Sequence, residues 1–173
     1  LGELYTDLPL LLDKEQTDHC GDCNRCMVAC PTGAIDKAYQ LDARLCIAYL
    51  TIELKGSIPE NLRPLMGNRI FGCDDCQLAC PWTRFSRRPS TKDFQPRHSL
   101  DNVALIDLFS WSESQFNTLL EGSPIRRIGY QRWLRNIAVA LGNSKRTAKV
   151  IASLEAKKSV ATPMVLEHIE WAI

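Results

Sequence analysis

Two cysteine runs are the residues of this sequence whose types and spacing can do chemistry. The first reads Cys20-Gly-Asp-Cys23-Asn-Arg-Cys26-Met-Val-Ala-Cys30-Pro31 and the second Cys73-Asp-Asp-Cys76-Gln-Leu-Ala-Cys80-Pro81. Three thiols at two-residue gaps followed by Cys-Pro are the spacing that holds iron–sulfur clusters, with three thiolates on one cluster and the fourth reaching across to a second. When the runs are aligned on their Cys-Pro ends, Cys80 matches Cys30, Cys76 matches Cys26 and Cys73 matches Cys23, while Ile70 stands where Cys20 would be. Cys46 is the one cysteine left over. The expected ligand sets are therefore Cys20, Cys23, Cys26 and Cys80 for cluster 1, and Cys30, Cys46, Cys73 and Cys76 for cluster 2.

Four thiolates also suit structural zinc, which takes them at about 2.3 Å. Zinc sites draw on two separated cysteine pairs, whereas the tight triple followed by Cys-Pro is the iron–sulfur pattern. Asp18, Asp22, Asp74 and Asp75 flank the runs and would lower a cluster's potential, although Asp18 and Asp22 also read as solvated loop acids. His19 reads as a surface residue, since the cysteines complete both ligand sets.

The 173 residues can bury a sizeable core, and eight cysteines crowded at short spacing favour metal in a reducing compartment over disulfides. No apolar run approaches a membrane span, and the start has no signal-peptide character. A cytoplasmic, monomeric segment of a longer protein is expected. Residues 1–83 hold seven Lys/Arg against twelve Asp/Glu, whereas residues 84–149 hold twelve against five. An acidic metal half is followed by a basic half suited to an anionic partner.

These elements must position the cysteines. The stretch after Pro31 reads as a turn and a short apolar strand, with Ile35 and Leu41 packed on a cluster. Leu45, Tyr49 and Ile52 recur at helical spacing in a helix starting near Cys46 and ending by Gly56 and Pro59. Asn61 should cap a short turn. Ser112-Glu-Ser-Gln115 is a capping box for a helix stopping at Gly122. Ser123-Pro124 opens a helix expected to run to Leu141, with Tyr130, Trp133, Leu134, Ile137 and Leu141 on one stripe and Arg132 and Arg135 opposite. Ser144 should cap a third helix and Thr162-Pro163 open a fourth. The expected fold is α+β, mainly α: a bicluster ferredoxin-like domain over residues 1–83, a basic connection over 84–102, and HEAT-like helical hairpins over 103–173.

From Ser123 to Lys149 there are seven bases, Arg126, Arg127, Arg132, Arg135, Lys145, Arg146 and Lys149, and no acid. Solvated helix faces intersperse both signs, so this run is expected to meet a nucleic-acid backbone, with Arg126 and Arg127 lying close to Lys145 and Arg146.

The two runs with Cys46 between them, the stretch Tyr49-Leu-Thr-Ile-Glu-Leu-Lys-Gly56, the run Arg69 to Trp82 and Pro124-Ile-Arg-Arg127 together resemble the epoxyqueuosine reductases, over nearly the whole chain. The resemblance implies two [4Fe–4S] clusters, cobalamin, tRNA as the partner carrying epoxyqueuosine, and an electron donor of unidentified chemistry. It also implies kinship with reductive dehalogenases, and an N-terminal part, outside this chain, that holds most of the cobalamin and the acidic proton donor. No catalytic residue is then expected here, and the chain alone should not turn over substrate. Ala48, Lys55 and Asp74 are the expected corrin or substrate contacts beside cluster 2, with a plain surface amine as the alternative for Lys55. A stand-alone ferredoxin-type carrier would explain the cysteines but not the basic helices; a zinc-stabilised RNA-binding module would explain the charge but not the Cys-Pro spacing.

Overall fold

One helix, Gly129–Gly142, is buried at every residue from Trp133 to Leu141, and the rest of the molecule packs around it. The structure is a computed structural model describing residues 2–87 and 89–173. Among these are eight α-helices: α1 (Arg25–Ala29), α2 (Ile47–Ile52), α3 (Asp75–Ala79), α4 (Leu105–Ser110), α5 (Glu113–Leu119), α6 (Gly129–Gly142), α7 (Ala148–Lys158) and α8 (Pro163–Ala172). Short 3₁₀ turns lie at 43–45, 60–66, 81–85, 92–94 and 124–128. The architecture is mainly helical.

The strand expected after Pro31 is not formed. Gly33 turns the chain at φ +62°, and the Ala34 amide donates to Cys30 Sγ instead of a ladder. Among the described residues the nearest thing to a sheet is an isolated bridge between Lys37 and Gln40. The helix expected from near Cys46 is formed as α2 but stops at Ile52, short of Gly56. Ile47, Leu50 and Thr51 are inside, while Tyr49 is exposed and Leu45 and Ile52 are half-buried.

Sequence signals hold best at helix starts. Ser112 and Gln115 form the reciprocal capping box on α5, and the Ser123 hydroxyl accepts from the Ile125 amide. Other details differ. The turn expected after Asn61 begins at Glu60 and runs to Met66, with Pro59 at its cap. The long helix from Ser123 is broken, because Gly129 (φ +75°) separates a 3₁₀ turn over 124–128 from α6. Thr147, not Ser144, caps α7 by accepting from the Val150 amide. α4 was not foreseen; its cap residue is Ala104, whose side chain has no cap oxygen.

α6 and α8 run parallel, joined near their starts by Thr162 Oγ1 and Gln131 Oε1 at 3.1 Å. At their far ends a Cβ on Gly142 would lie 2.7 Å from Trp171 Cζ3 and 2.9 Å from Ala172 Cα, so this close approach requires glycine. α4 also packs on α6, and α7 packs against α8 and α4. Trp133 stacks on Trp111 at 5.9 Å and holds Phe116 at 5.8 Å, anchoring α5.

The two halves share this core. Val139 of α6 sits in a cluster with Ile47, Leu50, Ile58, Leu62 and Met66, and Ile52, Ile70 and Phe71 pack against the larger cluster around Trp133. Buried His168 of α8 accepts the Ile58 N–H on Nε2 at 3.1 Å, which assigns the ring proton to Nδ1, 2.7 Å from the Met164 carbonyl. Burial, with Arg63 as a further cause, lowers the His168 pKa to about 4. Glu167 next to it takes Ser57 and Arg63.

Candidate metal centre

The cysteine runs fold into two matching loops. α1 follows Asn24 (φ −119°, ψ 14°) and α3 follows Asp74 (φ −114°, ψ 15°); each is five residues long. The helices end at Cys30 (φ −73°, ψ 113°) and Cys80 (φ −70°, ψ 127°). Pro31 and Pro81 explain this ending, because a residue before proline is driven out of the helical region. Cys30 and Cys80 thereby leave their helices extended, and α1 packs against α3.

The result is a crossover. One cavity of about 220 Å³ is lined by Cys20, Cys23, Cys26 and Cys80, with His19, Arg25, Trp82, Arg84 and Phe85 around it. A second, of about 330 Å³, is lined by Cys30, Cys46, Cys73 and Cys76, with Pro31, Ala34, Ile35, Leu41 and Ile47. Cys20 and Cys26 also line the second cavity, so the two adjoin. Each expected set of four cysteines thus surrounds one cavity, including Cys46 from the N-cap of α2.

The donor sets fit clusters better than single ions. Among the described residues no three Cys, His, Asp or Glu side chains converge closely enough for one metal ion. Zinc would need four sulfurs about 2.3 Å from one point. A [4Fe–4S] core instead fills the space between thiolates, one iron at each. In the second cavity burial raises the Cys76 thiol above its ordinary pKa, and repulsion from Cys73 and Cys46 adds to it, which a cationic core would relieve. At Cys30 burial pushes the other way from the result. The Thr32 hydroxyl, 3.6 Å from Sγ, and the Thr32, Ala34 and Ile35 amides more than offset it and leave the thiol lowered. Donors of this kind stabilise a sulfur's negative charge and tune a bound cluster.

The loops are braced by residues that spacing alone did not reveal. Asp18 accepts from the Cys20 amide at 2.8 Å and from the Tyr39 hydroxyl, so it is not merely a solvated acid. That carboxylate, with a further contact from Cys20, raises Tyr39 to about 12. Asp75 lines the second cavity and pairs with Arg69, which also donates to the Met66 carbonyl at 3.0 Å. His19 meets Trp82 edge-on at 5.8 Å.

Ala48, Lys55 and Asp74 are not gathered into either cavity. Lys55 and Asp74 are exposed, and Asp74 accepts from the Gln77 amide group at 3.1 Å. The basic run divides in two. Arg126, Arg127, Lys145, Arg146 and Lys149 are exposed, with Arg127 paired to Glu53 at 2.8 Å and Arg146 donating to the Ile173 carbonyl. Arg135, expected on an open polar face, is fully buried, and no polyanion can reach it. Arg132 is half-buried and spends its guanidinium on the Ile128, Ile52 and Arg127 carbonyls. Nor do Arg126 and Arg127 lie beside Lys145 and Arg146. The fourteen residues of α6 separate the pairs by about 20 Å.

Two adjoining cysteine-lined cavities on paired loops have the donors of a double-cluster iron–sulfur domain, and residues 19–83 match the family described as a 4Fe-4S double cluster binding domain. The whole chain is 56% identical over 174 residues to an epoxyqueuosine reductase of Pseudomonas aeruginosa, covering 100% of the chain and 48% of that relative. An epoxyqueuosine reductase structure from Bacillus subtilis superposes with a TM-score of 0.85 at 31% identity, over 95% of this chain and 44% of that one. A crystal structure of epoxyqueuosine reductase with an epoxyqueuosine-modified tRNA-Tyr stem loop gives the same figures. Along its whole length the chain is similar to epoxyqueuosine reductases, and it spans about half the length of the curated relatives it matches. No helix among the described residues is long and apolar enough to cross a membrane.

Proposed function

We propose that this chain is the iron–sulfur and RNA-facing portion of a cobalamin-dependent reductase that converts epoxyqueuosine to queuosine in tRNA. One observation carries the reading: a chain similar to epoxyqueuosine reductases along its whole length gathers its eight cysteines around two adjoining cavities. Cys20, Cys23, Cys26 and Cys80 would hold one [4Fe–4S] cluster and Cys30, Cys46, Cys73 and Cys76 the other. When bound, the clusters supply one-electron relay chemistry. The chain's own residues fix their separation through the packed α1 and α3, exclude water with Ala34, Ile35 and Ile47, and donate to Cys30 Sγ.

Cobalamin would be held mainly by protein outside residues 1–173, with Ala48, Lys55 and Asp74 as candidate contacts. Residues 1–83 serve electron transfer, and 103–173, read as HEAT-like hairpins, present the RNA-facing surface. Arg126, Arg127, Lys145, Arg146 and Lys149 are the proposed backbone contacts. A cytoplasmic monomer served by a separate electron donor fits this role.

The direct test supplies the complete protein with cobalamin and a reductant and follows epoxyqueuosine in RNA. Conversion to queuosine is expected; intact clusters without conversion would favour the stand-alone carrier. RNA binding should weaken steeply between about 50 and 200 mM salt, and affinity indifferent to salt would exclude the backbone contacts.

A further inference from the structure

Arg135 has no solvent exposure, and none of the ion pairs among the described residues includes it. Its hydrogen-bond partners are all neutral. Nη2 donates to the Leu50 carbonyl at 2.7 Å, Nη1 to those of Leu54 at 2.8 Å and Gly56 at 2.5 Å, and Nε and Nη2 to Asn136 Oδ1. Burial, with the like charge of Arg132, lowers its pKa to about 10. A cation taken out of water needs an opposing charge, and carbonyl dipoles supply only part of it.

The accepting groups show what this guanidinium faces. The Leu50 amide donates to the Cys46 carbonyl at 2.9 Å, so Arg135 binds α2 one turn from Cys46. A helical turn rises about 5.4 Å. Asn136 Nδ2 bridges the Thr51 carbonyl at 2.8 Å and the Ile70 carbonyl at 2.9 Å. Thr51 Oγ1 in turn donates to the Ile47 carbonyl and accepts the Gly72 N–H at 2.9 Å, immediately before Cys73. Two neighbouring residues of α6 therefore join the segment that begins at Cys46 to the segment that leads into Cys73.

We propose that Arg135 and Asn136 are positioning residues for cluster 2. They set the separation of Cys46 and Cys73, and Arg135 supplies the buried positive charge opposing the net negative charge of the four thiolates with their core. The proposal rests on the cluster assignment above. Hydrogen bonds and nearby charge tune such centres, so Arg135 raises the potential of cluster 2 selectively.

The test uses the complete protein, prepared anaerobically as wild type, R135Q, R135K and N136A. Iron and acid-labile sulfide are counted, and each cluster's reduction potential is read by an EPR-monitored titration. R135Q should shift cluster 2 to lower potential and leave cluster 1 unmoved. R135K keeps the charge and should hold the cluster 2 potential near wild type while melting earlier. N136A should lose iron from cluster 2 alone. A merely structural Arg135 would leave the R135Q potentials at wild type, or shift R135Q and R135K equally; either result overturns the proposal. Should R135Q fail to fold, R135K decides, because a cluster 2 potential lowered despite the retained charge contradicts it. Wild-type protein lacking sulfide would instead remove the cluster assignment itself, a separate failure.

Discussion

The two cysteine cavities are built from matching loops but rest on different foundations. Around the first, Cys20 and Cys23 are exposed, and the walls are surface aromatics such as Trp82 and Phe85. Around the second, Cys46 begins a helix whose Ile47 and Leu50 lie in the core, and Ile70 packs near Cys73. The missing thiolate explains the difference. Ile70 occupies the place that would match Cys20, but its side chain joins the core and its carbonyl takes Asn136. The segment is spent on packing, and Cys46 lines the second cavity in its place and brings α2 with it. The second site is tied to α6 and hence to the helical half, whereas the first belongs to the loops.

The largest test of this contrast is Leu50→Ala. Truncating a fully buried leucine costs about 2–5 kcal/mol, and chemical unfolding should show that loss together with early release of iron from the second site. Equal release from both sites would erase the contrast. Acid should act in the same direction with a comparable size. His168 is neutral in the fold, with a pKa of about 4 against 6.5 unfolded. The unfolded state thus binds the extra proton first, and stability falls by about 3 kcal/mol as pH drops from about 6.5 to about 4. Glu167, lowered by Ser57 and then Arg63, loses its contribution only at lower pH, as it protonates. Unfolding midpoints across that range should show the slope, and His168→Gln should flatten it. Trp82→Ala at the first cavity should have the smallest effect, about 0.5 kcal/mol or less, since the residue is 55% exposed. A cost as large as that of Leu50→Ala would mean that the first cavity is also part of the core.

Much of the site was legible because ligand spacing is local. Cys-Pro fixes the end of each loop helix, and the missing partner of Cys20 pointed to Cys46, which lines the second cavity, without any tertiary information. The capping box at Ser112 and the proline at 163 were legible for the same reason. Arg132 and Arg135 were misread because periodicity marks a charged residue as solvent-facing, and only tertiary structure supplies the orphan carbonyls of α2 that satisfy them. The same tertiary contacts surround α6 on all sides, so its polar stripe predicts no exposed face. α4 has six residues and no capping side chain, which leaves little local signal. The absent strand after Pro31 reflects amides spent on the cluster loop rather than on pairing.

The measurement closest to the central claim is the iron and acid-labile sulfide content of the complete protein as wild type, Cys20→Ala and Cys46→Ala, each with its EPR spectrum. Two clusters require about eight iron and eight sulfide in the wild type. Each variant should keep about four of each, Cys46→Ala with the signal of cluster 1 and Cys20→Ala with that of cluster 2. Zinc without sulfide, full iron retained after Cys46→Ala, or the same cluster lost from both variants would contradict the division of the cysteines into two sets.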